Sequence, residues 1–172
     1  VKRARKIIED KNPDLSEEEK SKAAEIVGIG AIIYNDLAQS REKNISFDWE
    51  RMLNFEGGSA AYLQYTYVRI NSILRKIGDF VKIKGLKYEK ESELELAKKL
   101  LFFPSVIVRA QKTNAANLIP TYLEELAQLF NSFYNEISII QTEDKELKSS
   151  RLALIKGVAR VIENGLRLLN IQ

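Results

Sequence analysis

The chain has 172 residues, 45% apolar and 30% charged, with a formal net charge of +3 and neither cysteine nor histidine; that length suits one domain with a real core, or one domain with an appended helical segment. Without those two residue types there are no disulfides, no thiolate chemistry, no imidazole base and none of the commonest metal ligand, so neither catalytic residues nor a metal site is expected. No apolar run approaches the roughly 20 residues that span a bilayer and no signal peptide opens the chain, which leads to the expectation of a cytoplasmic protein without a membrane partner.

Residues 1–11 look helical from the outset, with Ile7 and Ile8 apolar among Lys2, Arg3, Arg5 and Lys6. Asn12 and Pro13 stop this segment, because proline disfavours helix in the residue before it. Ser16 and Glu19 form a capping box that opens a helix to about Ala38, with Ile26, Ile29, Ile33 and Leu37 expected inward. Gly28 and Gly30 inside it predict close approach of a neighbouring helix. G-I-G has neither the preceding strand nor the third glycine that a nucleotide loop needs. Asp48 is placed to cap a short helix carrying Trp49 and Leu53.

From Asn54 to Ile77 a glycine-led loop hands over to a two-faced helix. Gly57 and Gly58 relax the backbone and Ser59 is placed to cap. Leu63, Tyr67, Ile70, Leu74 and Ile77 fall in one apolar stripe, expected to be core. Tyr62, Tyr65, Arg69, Ser72 and Lys76 form a second stripe about 140 degrees away, expected to face elsewhere. Rings interleaved with cations suit unpaired nucleotides, where bases stack and phosphates meet Arg or Lys. The same pattern also suits a second helix contact with solvated cations, and the stripe alone leaves both open. Charge distribution adds to the first reading: residues 12–61 hold five basic and ten acidic residues, and residues 62–90 seven basic and two acidic, including Lys82, Lys84, Lys87 and Lys90.

Beyond the charged loop that follows, Ser92 and Glu95 predict a second capping box, and Pro104 is expected to break that helix in two. Asn117 is expected to cap a long helix that tolerates Pro120 in its first turn and buries Tyr122, Leu126, Leu129, Phe130, Phe133 and Ile137, with Tyr134 beside that face. Residues 142–148 read as a polar loop. Ser149 then starts a last helix, with Lys156, Arg160 and Arg167 on its outer side, diluted by Glu163. No segment alternates with period two, so the fold class is an all-α helix bundle.

These residues also carry a resemblance. V-G-I-G-A-I-I-Y at 27–34, F-D-W-E at 47–50, F-E-G-G-S-A-A-Y-L-Q-Y-T-Y-V-R-I at 55–70, Y-L-E-E-L-A-Q-L-F-N-S-F-Y at 122–134 and R-L-A-L-I-K-G-V-A-R-V-I at 151–162 follow one another as in the C-terminal part of class I arginyl-tRNA synthetases. The resemblance implies an all-α anticodon-binding domain over residues 54–172, of the type named after a D-A-L-R-like motif, here S-R-L-A-L at 150–154. Residues 1–53 would form a helical connector after a catalytic domain of the same polypeptide. The family's H-I-G-H-like and K-M-S-K-S-like signatures are absent, and so is any βαβ unit. This chain would therefore be a fragment that is not itself an enzyme, with no cofactor of its own, ATP and Mg belonging to the parent ligase. Arginine tRNA is the implied partner and a monomer the implied state.

Tyr62, Tyr65, Arg69 and Tyr134 match the family's anticodon-recognition positions, and Lys76 and Arg160 complete the expected site. Tyr62 or Tyr65 would stack on a splayed base while Arg69, Lys76 and Arg160 hold phosphates. Departures are Ala61, where the family usually has proline, Tyr67, where it often has histidine, and a chain that stops at Gln172 before the family's arginine- and methionine-bearing tail. The alternative reading is a helical protein-protein interaction module in which the same stripe docks another protein.

Overall fold

In the computed structural model, residues 1–42, 44, 46–78 and 85–172 are described. Lys82 and Lys84 lie outside them. The described residues form seven helices and no strand: α1 (Lys2–Lys11), α2 (Glu17–Leu37), α3 (Trp49–Met52), α4 (Ala60–Ile77), α5 (Glu91–Thr113), α6 (Leu118–Glu136) and α7 (Lys145–Leu168). The all-α class follows directly from the 3.6-residue periodicity of the long segments.

The main core gathers α4, α5, α6 and α7 around Leu63, Ile70, Leu96, Leu126, Phe130 and Ile155, with Tyr34 of α2 reaching into it. A smaller cluster of Ala4, Ala31, Met52 and Leu53 joins α1, α2 and α3. Helix α2 straddles the two, and glycine lets it do so. A Cβ on Gly28 would lie 2.8 Å from the Val1 nitrogen, and one on Gly30 would lie 3.1 Å from both Gln64 and Ile171. Both glycines thus serve close packing, as their place inside a helix suggests.

The capping box that opens α2 is present: Ser16 Oγ accepts from the Glu19 amide at 3.3 Å, and the Glu19 carboxylate accepts from the Ser16 amide at 2.9 Å. Asp48 Oδ1 likewise accepts from the Glu50 amide at 2.9 Å and caps α3. The inward face expected for α2 is corrected. Ile29 is exposed and Ile26, Ile33 and Leu37 are half-buried, while Ala24, Gly28, Ala31 and Tyr34 are buried. Small residues take the contact because two neighbours press on this helix, and the bulky isoleucines are displaced to its flanks.

Three boundaries also differ from expectation. Helix α5 is continuous through Pro104, which sits on an exposed face where the ring has room. Its start is fixed not by Ser92 and Glu95 but by Glu93, whose carboxylate accepts from the Glu89 and Lys90 amides at 2.6 and 2.8 Å. Helix α7 begins four residues before Ser149, because Asp144 Oδ1 accepts from the Glu146 and Leu147 amides at 2.8 and 3.1 Å. Asn117 stands at the N-terminus of α6 without a side-chain capping bond, and Pro120 lies in the first turn as expected.

Candidate nucleic-acid interface

The site is built on the loop that enters α4. Ser59 Oγ accepts from the Tyr62 amide at 3.1 Å and donates to the Asn54 carbonyl, so one hydroxyl both caps the helix and closes the loop. Gly58 has φ +67°, a left-handed conformation that glycine adopts without steric cost, and its amide donates to Glu124 Oε1 of α6 at 3.0 Å. The loop is therefore anchored from both sides.

Helix α4 is seated against α2, α6 and α7, so its buried arc is wide: Tyr62, Leu63, Thr66, Ile70 and Ile73 are buried. That arc lies roughly 50 degrees round from the stripe centred on Leu63, Tyr67 and Ile70, towards the tyrosine-arginine stripe. Tyr62 is consequently corrected from an outward ring to a core ring, 5% exposed. Burial pushes its hydroxyl up from the ordinary tyrosine value, opposed by the hydrogen bond from Asn131. Tyr67, Leu74 and Ile77 become half-buried.

Tyr65 keeps the outward position. It is 52% exposed and meets Phe55 of the entry loop edge to face, centroids 6.3 Å apart. The Lys11 ammonium of α1 lies 5.4 Å from the Phe55 ring centre. One turn on from Tyr65, the Arg69 guanidinium lies over the Tyr134 ring of α6, 4.5 Å from its centre. Arg69 Nη1 also donates to Asn131 Oδ1 at 3.3 Å, and Asn131 Nδ2 donates to the Tyr62 hydroxyl at 2.7 Å. Tyr62 and Arg69 are thus joined through one residue that sequence reasoning missed, Asn131, and Tyr134 joins them through Arg69. Asn131 lies within the F-N-S-F-Y run, three residues before Tyr134, but its reach across to α4 leaves no sequence signal.

The remaining candidates stand apart from this cluster. Lys76 is exposed in the last turn of α4, where with Arg75 it also complements the helix dipole. Arg160 is on the outer side of α7 and pairs with Glu163 at 3.3 Å, and Arg167 pairs with the same carboxylate at 3.0 Å. Of the cations after α4, Lys87 bonds Asp144 and Lys90 sits 3.9 Å from Glu136, so these two serve the bundle.

Beside Tyr65 a groove of about 1200 Å³ runs between the α1–α2 pair and α4–α7, lined by Ile8, Leu15, Phe55, Tyr65, Val68 and Leu166 among others, with Lys11 and Arg167 also contributing. Among the described residues there is no cluster of acidic side chains able to hold a metal ion, and no helix is long and apolar enough to cross a membrane. A separate exposed apolar strip, Ile29, Ile32 and Phe47, lies on α2 and the segment before α3, next to half-buried Ile33 and Trp49.

A family model described as the DALR anticodon binding domain matches residues 63–172, and one described as the catalytic domain of class I (R) tRNA synthetases matches residues 1–49. The chain is 44% identical over 98% of its length to an arginine–tRNA ligase of Fusobacterium nucleatum, and 45% identical over all of it to one of Pyrococcus abyssi. It spans 30% and 28% of those two relatives. The fold superposes on Thermus thermophilus arginyl-tRNA synthetase with a TM-score of 0.91 at 33% identity, covering 99% of this chain and 29% of that one. A Plasmodium falciparum arginyl-tRNA synthetase gives 0.87 at 25% identity, with 99% and 31% covered. The chain belongs to the DALR anticodon-binding domain family, in the form that forms the C-terminal part of class I arginyl-tRNA synthetases.

Proposed function

We propose that this chain binds the anticodon loop of arginine tRNA, as part of a longer ligase that joins arginine to tRNA at the expense of ATP. The observation that carries the reading is the exposed Tyr65 ring set one helical turn from the Arg69–Tyr134 stack, on a helix whose entry loop is anchored at Gly58. Unpaired RNA loops are read by such surfaces, through stacking and through groups that meet base edges. Tyr65 stacks on a splayed base, backbone groups of the 57–62 loop read its edge, and Lys76 and Arg160 draw phosphates. Tyr62 supports the site from below through its hydroxyl. Every arginine codon has G in the middle, so a domain serving all arginine tRNAs reads the central anticodon C and little of the first base.

The strip of Ile29, Ile32 and Phe47 fits a second role, as the face on which a preceding catalytic domain packs, with ATP and Mg bound there and not here. The match of residues 1–49 to a catalytic-domain family supports it.

The test is binding to an arginine tRNA and to the same tRNA with its middle anticodon C replaced by G, at two salt concentrations. A large loss on replacement is expected. Affinity is also expected to fall by about 0.7 log units per log unit of salt for each phosphate neutralised. Equal binding of both RNAs, or affinity indifferent to salt, would overturn the reading, and the second result would favour a protein-docking face.

A further inference from the structure

Arg69 is held differently from the other arginines. Arg5, Arg151, Arg160 and Arg167 each pair with a glutamate, Arg3 lies over the Trp49 ring and Arg51 donates to the Asn35 amide oxygen, whereas Arg69 has an amide and a ring together. A cation meant only to attract phosphate needs no such seat. Its guanidinium is instead held over Tyr134, so a base can stack on that ring face only by displacing it. The planar group itself is a stacking surface for unpaired bases.

We infer that Asn131 is a positioning residue for recognition, pinning the Arg69 guanidinium against Tyr134 so that its outer face receives an unpaired base next to the one on Tyr65. The inference rests on the anticodon-loop reading above. Chemistry fixes the orientation of the Asn131 amide. A guanidinium only donates, so Oδ1 must face Arg69, and Nδ2 is then left to donate to the Tyr62 hydroxyl at 2.7 Å. Tyr62 is buried in the core, which makes it a fixed post for the amide. The order is therefore core ring, amide, guanidinium, base. Tyr134 acts as the platform beneath Arg69, and Phe130 backs it at 5.8 Å with ring planes 31° apart. Tyr65 and Arg69 are four residues apart on one helix face, roughly 6 Å, which suits two neighbouring bases turned out of a loop.

Affinity for the middle-C arginine tRNA is measured for the unaltered chain and for Asn131→Ala, Arg69→Ala, Arg69→Lys, the Asn131→Ala/Arg69→Ala double variant and Tyr62→Phe, at two salt concentrations, with the middle-G tRNA as control. Loss of a single hydrogen bond corresponds to about a 2- to 10-fold change, and Asn131→Ala is expected to weaken binding by that much without changing the salt slope. In the Arg69→Ala background it is expected to change nothing further. Arg69→Lys is expected to behave like Arg69→Ala although it keeps the charge, because an ammonium has no flat face. Tyr62→Phe keeps the core ring, removes only the post, and is expected to weaken binding less than Asn131→Ala, which guards against a variant that merely misfolds. The inference is overturned if Asn131→Ala and Tyr62→Phe bind as the unaltered chain does, or if Asn131→Ala costs as much with Arg69 already gone. It is equally overturned if Arg69→Lys retains affinity while Arg69→Ala lowers the salt slope by about 0.7, the mark of a phosphate contact. Equal binding of middle-C and middle-G tRNA by the unaltered chain would overturn the underlying reading itself, a result separable from any of these.

Discussion

Tyr65 and Tyr62 are three residues apart with the same side chain, and their surroundings give them different work. Tyr65 is half-exposed and supported at its edge by Phe55, so its face is open to a base. Tyr62 offers only a hydroxyl, already bonded to Asn131. Tyr65→Ala is therefore expected to cost about 1–3 kcal/mol of tRNA affinity, roughly 5- to 150-fold, with an unchanged melting temperature. Tyr65→Phe is expected to bind as tightly as the unaltered chain, because the ring and not its hydroxyl carries the contact. Equilibrium titration of both variants checks this, and a weak Tyr65→Phe would point to a hydrogen bond in place of stacking.

At the scale of elements, periodicity and caps made most of the bundle legible, and the misses share one cause. The box at Ser16 and the cap at Asp48 are local, so four residues suffice to read them. The rotation of the buried arc of α4 is not local. It depends on α6 and α7 flanking that helix, which brings Tyr62 inward while leaving Tyr65 out. Pro104 announced a break that an exposed position made unnecessary, and a polar stretch hid the start of α7 because the cap at Asp144 precedes the apolar stripe. The same limit explains Asn131 and Glu124, whose partners lie on other elements of the chain. Close helix contacts have one more consequence. A Cβ on Gly165 of α7 would lie 2.6 Å from both terminal carbons of Leu123 in α6, itself fully buried. Gly165→Ala gains about 1 kcal/mol of helix propensity but overpacks this crossing, with a typical cost of about 1–3 kcal/mol. Net destabilisation is expected in urea unfolding, and Leu123→Val in the same chain is expected to relieve part of it.

For the whole molecule, one buried ion pair ties the start of α5 to α7 at the end of the bundle away from the α4 entry loop. Glu93 is fully buried, and its carboxylate accepts from Arg151 Nε at 2.5 Å as well as from the Glu89 and Lys90 amides. Arg151 also donates to Thr142 Oγ1 at 2.9 Å, so the pair spans three segments. Burial alone would push the Glu93 carboxyl up, but the Arg151 hydrogen bond and the two amides outweigh it and hold the group below the ordinary carboxylate value. A carboxyl depressed in the folded state contributes stability that is fully present above its unfolded value, about 4.3, and is lost as pH falls through the folded value. Asp144, lowered by Lys87, acts in the same direction, starting from its own unfolded value of about 3.9. The unaltered chain is thus expected to keep its stability from neutral pH down to about pH 4.3 and to lose it steeply below. Glu93→Gln leaves the buried Arg151 with only the half-exposed Glu89 carboxylate, 4.0 Å away, and breaking a buried pair typically costs about 3–5 kcal/mol. That deficit is expected at pH 7 and should shrink progressively as pH falls below the unfolded value, about 4.3, where the unfolded carboxyl takes up a proton that the folded one still excludes. Replacing both partners, Glu93→Leu with Arg151→Met, is expected to recover part of the loss at pH 7, because no uncompensated charge remains although the Glu89 and Lys90 amides lose their acceptor. Urea unfolding at pH 7 and pH 3.5 for the three proteins decides it: a Glu93→Gln deficit that is the same at both values would show that the lost contact is one of packing and not of charge.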